Sequence, residues 1–166
     1  MSTWVNKDGL EVRYGNTQAA VSRVGKTSSM GEEQELIIDI VGTEVAATAT
    51  PTIYKHTGLP QGAHFVSATF YVETAFTSTG SATLDLGLWS DDGDGTFTVV
   101  DADGIDVDIA LTAIDAAGDV IACDGADVGT VIDTVSGGRD LLVVAGYATA
   151  SLTAGKGKLV CKYLKP

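Results

Sequence analysis

A chain of 166 residues fits one domain that can bury roughly 70% of its unfolded surface, and 45% hydrophobic residues argue against global disorder. Its formal charge of −12 is uneven: residues 1–80 carry 5 basic and 8 acidic groups, 81–140 carry 1 and 14, and 141–166 carry 4 and 0, giving −3, −13 and +4. Such a surface repels phosphate backbones and excludes direct nucleic-acid binding as the main role, and no apolar stretch is long enough for a membrane span. No secretory leader is visible at Met1, and Cys123 and Cys161 stand far apart without a CxxC pair, so they read as reduced, buried thiols of a protein made in a cytoplasm.

Residues 1–35 alternate charge, glycine and small polar groups around isolated apolar anchors and show no helical stripe. They are expected to form an extended N-terminal arm whose binding anchors are Trp4, Val5 and Tyr14, with a β domain over 36–166. The β-branched run at 35–41 predicts a first core strand, and 42–62, with Pro51 and Pro60, a loop or weak edge strand. Val66, Ala68, Phe70 and Val72 then alternate with polar neighbours, as do Leu84, Leu86 and Leu88. The turn at 77–80 predicts that these two strands pair antiparallel, with Val66, Phe70, Val72, Leu84, Leu86 and Leu88 in one core.

Between residues 81 and 140 stand fourteen aspartates and no glutamate, and aspartate is the acid that bonds its own backbone in turns. The stretch 90–108 is therefore expected to leave the sheet, with 97–100 as a short hairpin arm; 105–109 alternates again, and 111–120 is expected to hold at most a helical turn. Residues 141–145 and 147–152 read as a further strand. In the closing strand Leu159, Cys161 and Tyr163 alternate with Lys158, Val160 and Lys162, whose basic side faces outward. Many short strands joined by Gly, Asp, Ser and Thr predict an all-β, antiparallel sandwich or jelly roll.

Few motifs carry chemistry. Gly25-Lys26-Thr27-Ser28 matches the tail of a phosphate loop, but Ala20 stands where the first glycine is needed. Asp101, Asp103 and Asp106, near Asp91, Asp92 and Asp94, have oxygen-ligand spacing that suits Ca²⁺, without the terminal glutamate of a calcium loop; solvated acidic turns are the preferred reading, with no metal and no cofactor. His56 and His64 have no GxSxG serine to serve, and aspartates are too abundant for any chosen pair to mark a hydrolase, so no catalytic residue is assigned.

Four segments carry a resemblance: Pro60-Gln-Gly-Ala63 leading into a strand that ends at Phe76, Ala82-Thr-Leu-Asp-Leu-Gly-Leu88, Asp101-Ala-Asp-Gly-Ile-Asp106, and Thr153-Ala-Gly155 leading into the last strand to Tyr163. Over residues 59–163 the chain resembles small virion structural proteins of tailed bacteriophages, of the capsid decoration or cement type. The resemblance implies a jelly-roll-like, non-enzymatic protein on the capsid surface, a homotrimer that contacts the major capsid protein through its base and an N-terminal arm. The rival reading is a calcium-dependent carbohydrate- or receptor-binding β module of a virion fibre.

Overall fold

The computed structural model describes residues 2–5, 11–14, 33–91, 96–132 and 140–165, giving the backbone alone for the first two segments and for 55–57. The chain divides into two compact units, Met1–Gly31 and Glu32–Pro166. In the first, β1 (Ser2–Val5) and β2 (Glu11–Tyr14) pair antiparallel, with Trp4 opposite Val12 and Ser2 opposite Tyr14.

The second unit is all-β. Its strands are β3 (Glu33–Val41), β4 (Ala46–Ala47), β5 (Thr52–Leu59), β6 (His64–Ser78), β7 (Thr83–Asp91), β8 (Phe97–Ala110), β9 (Val120–Cys123), β10 (Leu141–Ala148) and β11 (Leu152–Leu164). One sheet has the order β3-β11-β6-β9 and is antiparallel throughout. The other runs β4-β10-β7-β8, with β5 also pairing β10, and its only parallel pairing among the described residues is β4 with β10. Both sheets contribute to one core, with Ile38, Ile40, Phe65, Phe70, Phe76 and Leu159 from the first and Leu84, Leu86, Leu88, Leu141 and Val143 from the second. The described residues contain no helix long and apolar enough to cross a membrane.

The period-two segments form strands as their alternation requires, and β11 buries Leu159 and Cys161 while its lysines face outward. The expected hairpin of β6 with β7 does not form. β6 pairs β11 and β9, whereas β7 pairs β10 and β8 in the other sheet. Alternation shows only that each strand has one apolar face, and two such faces meet equally well across a core as side by side. Their leucines and phenylalanines do share that core, with one exception. Val66 is 37% exposed, because one step on β11 from Lys162 to Tyr163 spans two on β6 from Ser67 to Phe65. This bulge leaves Val66 as the extra residue and puts Phe65 inside in its place.

The acidic stretch does not leave the sheet either. Residues 97–110 form β8, an edge strand beside β7. Between the pairs Leu88↔Asp101 and Leu86↔Asp106, β7 advances two residues and β8 five, so the Asp-Gly chemistry expressed as a turn produces a wide bulge inside a strand. Gly87 makes room for it, since a Cβ there would collide with the Ala102 carbonyl. The only helical element in 111–120 is a 3₁₀ turn at Leu111–Ala113. Outward aspartates on an edge strand also discourage pairing with another edge.

Candidate functional site

Two surfaces concentrate the charged residues. On the outer face of the four-stranded sheet, Lys158 Nζ lies 2.7 Å from Asp39 Oδ1 and 2.8 Å from Glu73 Oε1, and Lys156 Nζ lies 3.0 Å from Glu73 Oε2. One rung lower on the ladder of paired strands, Ile37 opposes Val160 and Val160 opposes Thr69. Beyond that rung, Lys162 Nζ lies 3.3 Å from Glu33 Oε1 and 3.4 Å from Glu35 Oε1. The hydrogen bond from Lys158 holds the Asp39 and Glu73 carboxyls below their usual range, and their presence raises Lys158. This face is a cross-strand ion ladder with an apolar rung in it.

The second surface is the margin where β7, β8 and β9 meet. Asp103 is exposed, its amide donates to Asp101 Oδ1 at 3.3 Å, and hydrogen bonding with the Asp101 carboxyl pushes its own carboxyl up. Asp106, only 5% exposed, faces inward and bonds Cys123 of the opposite sheet; burial pushes its carboxyl up, and Asp124 and Asp85 add to the rise. Asp85 is raised by burial as well, while it accepts the Asp108 amide at 2.8 Å. The bulge thus turns Asp103 outward and Asp106 inward. Among the described residues no three His, Cys, Asp or Glu side chains are grouped to hold a metal ion.

Register also separates the thiols. Ala68 of β6 pairs Cys161 on one side and Cys123 on the other, so the cysteines stand two strand spacings apart, about 9.5 Å. A disulfide needs Cα atoms within about 7 Å. Both thiols are free and buried, and burial pushes Cys161 up to about 12 and pushes Cys123 up as well, which makes both poor nucleophiles.

Of the sequence-derived candidates, the side chains of Trp4, Val5, Tyr14 and His56, together with the glycine-lysine stretch at 25–28 and Asp92 and Asp94, lie outside the described residues. His64 is exposed at the start of β6. The sequence reading missed Asp85, Cys123 and Asp124 as neighbours of Asp106, and it missed the segment that follows Cys123. The available signal was Asp124-Gly125 directly after a strand, with Gly129 four residues on.

No protein-family model matches the chain, and no curated protein matches it in sequence. Solved structures do match. A chain of the Cyanophage Pam1 capsid asymmetric unit aligns with a TM-score of 0.54 at 16% identity, covering 93% of this chain and 100% of that one. A chain of the capsid of Ralstonia phage GP4 aligns with a TM-score of 0.52 at 20% identity, covering 87% and 92%. At these identities the likeness is one of fold.

Proposed function

We propose that this chain is a non-enzymatic structural protein of a bacteriophage head, a decoration protein that binds the lattice of the major capsid protein and stabilises the shell by bridging its subunits. The observation that carries the reading is the fold shared with the Pam1 capsid chain, which extends over nearly the whole of both chains. The four segments that resemble phage virion proteins fall on β6, β7, the bulge of β8 and β11, two strands of each sheet. A part of this kind needs a rigid β core and a docking element rather than a pocket. In this proposal the docking element is the segment 1–35 with Trp4, Val5 and Tyr14 as anchors, and the protein acts as a homotrimer on the capsid surface.

The test is to mix the purified protein with heads lacking it, sediment them, and image the decorated particles. Ordered density on the head lattice and a higher temperature of capsid rupture are expected. No association with heads would end the proposal, and density on a fibre of intact particles would favour the receptor-binding reading.

A further inference from the structure

Residues 124–130 cross the open side of the sandwich. They leave β9 in the four-stranded sheet, where Gly125 N–H donates to the Ile105 carbonyl at 2.9 Å and Asp127 N–H to the Gly104 carbonyl at 2.8 Å, both on β8 of the other sheet. They then return to β6, where Gly129 N–H donates to the Phe65 carbonyl at 2.7 Å and Phe65 N–H to the Thr130 carbonyl at 2.8 Å. Glycine at 125 is required by the close approach, because a Cβ there would collide with the Gly104 and Ile105 backbone. The segment is a strap hydrogen-bonded to both sheets.

Asp106 adjoins the β8 end of that strap. It is the only charged residue buried among the described ones, and it bonds Cys123, itself 6% exposed, across the space between the sheets. The groups facing it are Cys123 from β9, Asp124 from the strap and Asp85 from β7, with the Val107 amide on its own strand, and the strap's Asp127 carboxyl lies against Gly104 two residues away. None is a cation. Lys156, Lys158 and Lys162 are engaged with Asp39, Glu73, Glu33 and Glu35 on the outer face of the four-stranded sheet. Among the described residues, Asp106 is a buried carboxylate flanked by two others and by no counter-charge, which is costly to ionise.

We infer that residues 124–130 form an acid-closed latch, which holds the two sheets together along the β8–β9 margin most tightly when Asp106 carries a proton and loosens as Asp106 ionises. With the proton on, Asp106 is a neutral group beside Cys123 and repels neither Asp124 nor Asp85. With it off, Asp106 repels Asp124 and Asp85 at the margin that the strap must close. Burial and these neighbours raise the folded-state pKa of Asp106 above that of an open margin. The stabilisation is therefore complete below the unfolded value of about 3.9 and is lost as pH rises through the folded value.

Hydrogen exchange at the Gly125 and Asp127 amides tests this, measured at pH 5 and pH 8 in the full chain and corrected for intrinsic rates, with Leu159 in the centre of β11 as the control for global opening. Protection of the strap amides relative to Leu159 is expected to be higher at pH 5 than at pH 8, since a closed margin that binds the Asp106 proton more tightly than an open one gains in the opening equilibrium to the extent that the proton is bound. In Asp106→Asn the protection should stay high at both values. Equal protection in the wild type at the two pH values, or a pH dependence undiminished in Asp106→Asn, overturns the latch. Should Asp106→Asn fail to fold, carbon-detected titration of the Asp106 carboxyl in the wild type decides: a midpoint above the ordinary aspartate range supports the latch, and one within or below it overturns it.

Discussion

Phe70 is one of the large side chains that fill the core between the two sheets. It is fully buried at the centre of β6, its ring lies 5.7 Å from that of Phe76 at an interplanar angle of 53°, and Gly157 on β11 leaves the space that its ring edge occupies. A Cβ at Gly157 would run into that ring and the Tyr71 carbonyl, so the glycine is matched to the phenylalanine across the strand pair. Truncating the ring removes the transfer term and leaves a cavity that paired strands on both sides cannot collapse into. Phe70→Ala is expected to cost about 3 to 5 kcal/mol, read as a lowered denaturation midpoint with unchanged slope. A midpoint within error of the wild type would mean that Phe70 does not hold the sheets together.

At the scale of elements, the ladder β3-β11-β6 and the margin β7-β8-β9 respond to acid in opposite senses. Asp39 and Glu73 are lowered by their hydrogen bonds to Lys158, so what they add is present above their unfolded values and disappears as pH falls through the folded ones. Asp85 and Asp106 are raised by burial, so what they add is complete below the unfolded value and disappears as pH climbs. A melting temperature that peaks in mild acid and declines on both sides is expected. Lys158→Met should flatten the decline below about pH 4 and leave the decline toward neutrality in place, with a small effect overall because exposed pairs contribute little. The outward basic side of β11 was legible beforehand, since Leu159, Cys161 and Tyr163 alternate strictly with Lys158, Val160 and Lys162, but its acidic partners on β3 and β6 were not, because they depend on strand pairing. The margin was not. Turn propensity locates a bend at Asp101–Asp106 but cannot tell a loop from a bulge within a paired strand, and three extra residues are enough to carry Asp106 from the solvent side to the interior. Pairing was illegible for a related reason: the periodicity of β6 and β7 fixes which face is apolar, not which strand lies alongside.

On the scale of the whole molecule, the division into Met1–Gly31 and Glu32–Pro166 bears directly on how the protein would attach to a shell. All the described core residues, from Ile38 to Cys161, belong to the second unit, and both sheets are complete within it. The sequence of the first unit offers spaced apolar anchors without a periodic face, and a two-stranded pairing such as β1 with β2 is marginal in water by itself. Its ordering entropy is best offset against another surface, where aromatic anchors concentrate binding energy. Deleting residues 1–30 is therefore expected to leave a cooperative unfolding transition with the stability of the β unit nearly intact, while binding to undecorated heads falls by tenfold or more in a sedimentation assay. Trp4→Ala in the full chain should reproduce part of that loss. A truncated protein that binds heads as tightly as the full chain would locate the docking surface on the sandwich itself, and one that fails to fold would make the first unit part of the core rather than an arm.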